Sequence, residues 1–371
     1  GGMERADEVV PIALDWIKRN VGSGNPRTSD NWFLHVNVWD PHTPYRTPMA
    51  YGNPFENDPL PAWLTEDVWQ RGWEGFGPHS PQEPHGFSSG AGWLEQYERV
   101  PKQIDSMAAV KQWIDGYDTG IWYADKYVGK LLDALEETGV LDETVIIVSS
   151  DHAESQGEFN VWGDHQTADH SVSRVPLLIR WPGLTDMPRV DRALHYHFDW
   201  AATLVELAGG QVPGNWDAVP FTEAFEVGKE KGRDYLVLSQ GAWSVQRSVR
   251  FNYESLEAQA PEAYICLRTY HDGYKMLEPV MLFNLTQDPH EQTNLAQQRP
   301  ELVDKAMGML ADWQHCMMLR SRYNVDPLMT VLREGGPSHT RGELPAYLER
   351  LRATGRAHHA KRLLRLHSEE A

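Results

Sequence analysis

Apolar residues recur along this chain with two different periods, and the changes between them mark out its elements. In ADEVVPIALDWIKRN (6–20), Val9, Ile12, Ala13, Trp16 and Ile17 fall at helical spacing, which predicts a helix with Pro11 inside its first turn. NWFLHVNV (31–38) reads as a short strand ending at WDPHTPY. From Ile104 to about Glu137, apolar side chains at Ile114, Tyr117, Ile121, Ala124, Val128, Leu131, Leu132 and Leu135 predict one long helix stopped by Gly139. TVIIVSS (144–150) and RVPLLIRWPG (174–183) are apolar runs of strand length, and HFDWAATLVELAG (197–209) is a further helix ending at Gly209. This alternation predicts an α/β sheet protein. Residues 46–104 interrupt it with a long Pro-, Gly- and Trp-rich excursion, the kind of segment that forms binding walls or lids.

The texture changes after about residue 230. Short strands near 235–240, 243–251, 263–270, 273–277 and 281–285, joined by turns such as HDG, predict an antiparallel sheet. An amphipathic helix over 300–318 is expected to cover it, and LPAYLERLRATGRAHHAKRLLRLH (344–367) reads as helical, locally basic and broken at Gly355. That end is read as a solvated helix packed on the protein surface, with a partner-binding tail as the alternative. Three units follow: 1–230 carrying the larger α/β domain, 231–320 the antiparallel subdomain with its helix, and 321–371 the tail.

Charge and composition narrow the choices. A formal net charge of −19 over 371 residues argues against a nucleic-acid partner, and it means that an anionic substrate must be drawn by a local cationic group or a metal. No run reaches the length of a membrane span, and GGMERADEVV is not a signal peptide; cytoplasmic and periplasmic or secreted locations both stay open, as does the oligomeric state. Cys266 and Cys316 lie far apart without a CxxC pattern, which excludes a disulfide framework and a cysteine zinc site. Among fifteen tryptophans, Trp63, Trp69, Trp73 and Trp93, with Phe76, fall in the Pro/Gly-rich stretch. They fit either stacking on sugar rings or an aromatic cluster that pins a long loop.

The chemistry-bearing residues concentrate after the predicted strands. SSDHAESQGEFNVWGDHQTADH (149–170) follows TVIIV directly, and an adjacent Asp151–His152 pair at a strand tip suits a metal ion, with a helix-capping aspartate beside a surface histidine as the plain alternative. In WDPHTPY, Pro41 and Pro44 restrict the backbone around His42, presenting an imidazole suited to proton transfer or to hydrogen bonding an anionic oxygen. His165, in WGDHQTADH, lies on a polar segment from which it can reach the same crevice. Glu154, Glu158, Asp164, Asp169 and His170 read as turn, solvent and supporting residues, and Arg174 and Tyr45 as structural.

DPHTPY (40–45), TVIIVSSDHAE (144–154), WGDHQTADHSVSRVPLLIRWPG (162–183), DWAATLVELAG (199–209) and LFNLTQDPHEQTNL (282–295) stand in the order and spacing of the sulfatase family, which the chain resembles to about residue 318. The resemblance implies an alkaline-phosphatase-like fold: a mostly parallel mixed sheet between helices, plus a smaller antiparallel subdomain. It also implies hydrolysis of small-molecule or glycan sulfate esters by a formylglycine hydrate made from Cys or Ser. Carried over by motif, Asp151 and His152 match the metal pair, and His42 matches the histidine of PHxPY that contacts the sulfate or the leaving oxygen. His165 stands in a WGxH-type version of a motif that usually carries a lysine, with the same expected task. Ala153 replaces the usual glycine of DHG. The metal is calcium by resemblance, while a histidine ligand leans toward manganese or zinc.

The family's nucleophile motif, C-x-P-S-R or S-x-P-S-R, is absent from these 371 residues, as is its early Asp-Asp metal pair. The expectation is therefore the C-terminal part of a sulfatase, inactive alone and weak in metal binding, its nucleophile lying upstream or on another chain. A phosphonate or phosphate ester hydrolase of the same superfamily and a non-catalytic glycan-binding relative are the alternatives.

Overall fold

The computed structural model describes residues 2–21, 31–87, 96–226, 229, 231–254 and 260–370; Trp93 lies outside them. Helix α1 spans Ala6–Asn20 and buries Ala6, Val10, Ala13 and Ile17, the stripe that the i, i+4, i+7 spacing dictates. It starts at Ala6, so Pro11 sits at the sixth helical position rather than in the first turn. Residues 31–38, expected as a strand, form no ladder among the described residues. Their burial alternates as a strand's does, with Trp32 and Leu34 against Ile17, Val21 and Leu135 while Phe33 is 78% exposed. The alternation is present, but no partner strand among the described residues supplies hydrogen bonds.

Beyond α2 (Glu66–Glu74), helix α3 (Met107–Glu137, 31 residues) is the spine of this region. It buries Val110, Trp113 and Ile114 with Tyr45, Leu64, Val100, Ile104 and Trp162 in one core. The 40–45 loop seats on α3 at Gly116 and Gly120: a Cβ at Gly116 would come within 2.6 Å of Tyr45, and one at Gly120 within 2.9 Å of Pro41. Asp40, buried, accepts the Ala6 N–H at 2.8 Å and so caps α1 from a distance. His42 therefore stands on a loop held by two helices.

Strand β1 (Ile146–Ser149) pairs antiparallel with β4 (Leu177–Arg180), and between them come the short hairpin β2 (Ser155–Gln156) and β3 (Trp162–Asp164) and the single turn α4 (His170–Ser173). Among the described residues the larger sheet shows only this antiparallel pair, whose strands are joined through the β2–β3 hairpin and α4 rather than through a long crossover helix. One face packs on α5 (His197–Leu207) through Ile147, Leu177 and Ile179.

The C-terminal sheet is antiparallel, in the order β5 (Tyr235–Gln240), β6 (Val245–Tyr253), β7 (Glu262–His271) and β8 (Val280–Asn284). Helix α6 (Pro300–Arg320) covers one face with Leu302, Ala306 and Leu310 on Val249, Phe251, Cys266 and Leu282. The predicted strand at 273–277 is instead a turn: Gly273 and Tyr274 have φ of 62° and 60°, outside the β region. After α7 (Pro327–Arg333), helices α8 (Leu344–Ala353) and α9 (Ala357–Leu366) meet at Gly355, as the break predicted. They pack on the protein surface through one face. Leu344, Tyr347, Leu348, Leu351 and Leu363 are buried on Phe76 and Tyr274, and Arg350 and Arg356 both bind the buried carboxylate of Glu83.

Candidate active site

His42, His152 and His165 come from three separated segments and meet, with one ring nitrogen of each within 4.8 Å of the others. His152 and His165 stack at 3.9 Å between ring centres, and His42 stands edge-on to both at 5.6 and 6.0 Å. Backbone carbonyls set the tautomers of two rings. His42 Nδ1 lies 2.7 Å from Thr43 O and His152 Nδ1 2.9 Å from Ala153 O; since a carbonyl only accepts, both Nδ1 atoms carry the proton and leave the Nε2 lone pairs free. Burial holds the pKa of His42 and His165 below the ordinary imidazole value, so both rings rest neutral at pH 7.

Asp151 is beside this group but exposed, its side chain 86% accessible and its Oδ2 3.8 Å from His152 Nε2. The plain alternative for this aspartate, a helix cap, does not apply: its carboxylate accepts the His152 N–H at 3.0 Å, and Asp169 caps α4. An oxygen and a nitrogen at that separation, both free of strong internal bonds, fit a single divalent ion. The donor set is nitrogen-rich, which suits zinc or manganese better than calcium. Glu154 and Asp164 contribute no free oxygen, being engaged inside the protein.

Sequence reasoning placed these two, with Glu158 and Asp169, among turn, solvent and supporting residues; Glu154, Glu158 and Asp169 are buried, which leaves them the supporting part. Glu154 accepts from Thr43 N–H (3.2 Å) and Tyr45 Oη–H (3.0 Å), tying the 40–45 loop to the segment after Asp151–His152. Burial pushes its pKa up to about 8. Tyr45 is thereby a core residue. Asp164 accepts the His165 N–H at 2.6 Å and lies 3.2 Å from both His165 Nδ1 and His79 Nε2. The His165 contact lacks hydrogen-bond geometry, leaving that buried nitrogen without a partner. Although burial opposes ionisation, His79 and the His165 N–H hold the Asp164 pKa below the usual carboxylate value.

Two further residues of this layer escaped the sequence reading. His79 lies in the irregular stretch GPHS, with φ of 65°, and Lys275 is buried against the Trp243 ring at 5.5 Å, its pKa lowered by burial to about 7. Neither sits in a periodic element, so no spacing marks it. The tryptophans pin the loop: Trp69 donates Nε1–H to Ile104 O at 2.7 Å, Trp63 stacks on His290 at 4.5 Å, and both pack on the α3 core, while Trp73 tilts against Trp69 at 6.2 Å.

The sulfatase family model matches residues 7–210, more than half of the chain, and so spans His42, Asp151, His152 and His165. The chain belongs to the sulfatase family. The C-terminal model of N-sulphoglucosamine sulphohydrolase matches residues 157–312. This sulfatase chain is 28% identical over 306 residues to choline-sulfatase of Rhizobium meliloti, covering 82% of itself and 54% of that protein. It spans about half the length of the curated relatives it matches. Among solved structures it resembles a protein in complex with its substrate D-glucosamine-2-N,6-O-disulfate, with a TM-score of 0.57 and 17% identity over 84% of this chain and 69% of that one. It likewise resembles the phosphonate monoester hydrolase of Silicibacter pomeroyi, with a TM-score of 0.55 and 20% identity over 88% and 62%. These likenesses establish the alkaline-phosphatase-like α/β fold of the sulfatases.

Proposed function

We propose that this chain supplies the sulfate-binding and leaving-group side of a sulfate ester hydrolase site, whose formylglycine nucleophile lies outside these 371 residues. The observation that carries the reading is the convergence of His42, His152 and His165 beside Asp151, from three segments that lie within the span matched by the family model. Asp151 and His152 would hold a divalent cation, calcium on family grounds and manganese or zinc on the donor set. When bound, such an ion supplies the positive field that a chain of charge −19 lacks. His42 and His165 bind the sulfate or the leaving oxygen. The His42 Nε2 lone pair cannot donate to an anionic oxygen until the ring takes a proton, so this contribution falls as pH rises, unlike a lysine's.

Kinetics of purified protein test the reading. The 371-residue chain alone is expected to show no turnover of an aryl sulfate, and robust hydrolysis would refute it. In a polypeptide that also carries the nucleophile motif, His165→Ala lowers kcat about 10²-fold or more. A second reading, phosphonate ester hydrolysis, is favoured by the fold likeness to a phosphonate monoester hydrolase. A matched aryl sulfate and aryl phosphonate pair separates the two. The bound substrate of the solved neighbour supports a sulfated amino sugar as the glycan class.

A further inference from the structure

Two arginines, Arg174 and Arg250, come from different sheets and have, among the described residues, no ion-pair partner. Their placement follows from strand register. Ser149 on β1 lies opposite Leu177 on β4, and the antiparallel run continues past both strand ends: Ser149 Oγ donates to Pro176 O at 2.8 Å, and Ala153 N–H donates to Val172 O at 2.9 Å. Arg174 falls between those contacts, level with Asp151 and His152. Arg250 arrives from the other sheet. Ser244 Oγ donates to Gln166 O (2.8 Å), Gln246 Oε1 accepts from Ala168 N–H (3.2 Å) and Ser248 Oγ donates to Ala168 O (2.5 Å), so alternate positions of this strand zip onto residues 166–168. Arg250 is the next position in that row, where the chain has moved on to His170 and Arg174.

The guanidinium groups are incompletely satisfied. Arg250 Nη1 donates to Phe251 O and Asn252 Oδ1 at 2.6 and 2.9 Å, but its Nε is buried without an acceptor. Arg174 is exposed and, among the described residues, has no hydrogen-bond or ion-pair partner. Burial together with Arg174 pushes the Arg250 pKa down to about 10, and burial with both arginines lowers His170 to about 4, leaving a neutral imidazole. The carboxylate at this place, Glu291, accepts the His170 N–H at 3.2 Å, and burial raises its pKa well above the usual carboxylate value. A half-buried arginine without a counter-ion is a costly arrangement, and the guanidinium fork is shaped for the paired oxygens of an oxyanion.

We propose that Arg174 and Arg250, with the His170 ring, form a subsite for a second oxyanion group, sulfate or carboxylate, on a substrate whose reacting ester lies at the histidine crevice. The presence of an anion here stands on the arginine pair; its belonging to the substrate rests on the sulfatase reading. Arg174, expected from sequence to be structural, is thereby a specificity-determining residue.

NMR titration of the 371-residue chain tests this, with glucosamine-6-sulfate, D-glucosamine-2-N,6-O-disulfate and inorganic sulfate at matched ionic strength. The disulfate is expected to bind about 10-fold or more tightly than the monosulfate, and Arg174→Gln with Arg250→Gln to erase that difference while leaving the monosulfate affinity unchanged. Arg250→Gln without ligand is expected to keep or raise Tm, since it removes an uncompensated buried charge; a marked fall makes the arginine structural and overturns the proposal. So does a disulfate preference that survives both substitutions. An arginine-dependent response to inorganic sulfate with no preference for the disulfate refutes the substrate assignment. Failure of the sulfatase reading looks different: His165→Ala then leaves the binding of every sulfated sugar unchanged, while the arginine dependence persists.

Discussion

Replacing Glu83 by glutamine should release the C-terminal helices, and the structure sets the size of the effect. Glu83 is 4% exposed and accepts from Arg350 Nε at 2.8 Å, from Arg356 Nη1 at 3.1 Å and Nη2, and from Ser80 Oγ at 2.6 Å. Glutamine keeps the shape but removes the charge, stranding Arg356, itself 4% exposed. Breaking a buried pair by removing one partner costs about 3–5 kcal/mol. The loss has a ceiling, because α8 and α9 can lift off and return the arginines to water. The buried Leu344, Leu348, Leu351 and Leu363 contribute roughly 6–12 kcal/mol gross to docking, before chain entropy is subtracted, so undocking competes with global unfolding. Hydrogen exchange of amides in 344–366 should therefore quicken by about 10²–10³-fold, with new protease cleavage in that segment. Exchange unchanged, or a loss under about 1 kcal/mol, refutes the reasoning. Replacing Glu83, Arg350 and Arg356 together by apolar residues of similar volume should be close to neutral. The effect also reaches the candidate site, because this segment carries His79, whose Nε2 is 3.2 Å from Asp164.

Other perturbations separate the remaining parts of the argument. Burial opposes the charge on His367, but hydrogen bonds with Asp272 and Glu370 outweigh it and push the pKa up to about 9. This folded value lies above the unfolded one near 6.5, so the contribution is full below pH 6.5 and lost as pH rises through 9. Denaturant midpoints between pH 6 and 10 should fall in the native chain and flatten in His367→Asn. Gly163→Ala puts a Cβ 2.4 Å from Trp113 and 2.5 Å from Thr43 at φ of 68°, and should lower stability by about 2–4 kcal/mol in urea unfolding. Native thiol titration should find Cys316 reactive and Cys266 silent, since Cys266 is fully buried and burial raises its pKa to about 12.

The site was legible where residue type and local backbone carry the chemistry. His42, between two prolines, and Asp151–His152, at a strand end, are where sequence reasoning put them, and His165 reaches the same crevice. What escaped depends on partners remote in sequence. Whether Glu154 is a turn, solvent or supporting residue is decided only by Thr43 and Tyr45, 109 and more residues away, which take up its oxygens. His79 and Lys275 stand in turns with φ or burial that no periodicity announces. The 31–38 run shows the converse: its alternation was readable, but a strand is completed by a neighbour's hydrogen bonds, and no neighbour stands beside it among the described residues.

By itself, then, the sequence determined the principal helices, the antiparallel C-terminal sheet and the residues that meet at the crevice, because these follow from local periodicity and from side chains fixed by their own backbone. Tertiary structure alone decided which acids are buried, where the basic tail docks, and that Arg174 and Arg250 are left without an ion-pair partner among the described residues. Each of those is a property of segments brought together by register and packing. Desolvation and charge pairing act through space, and spacing along the chain carries no record of them.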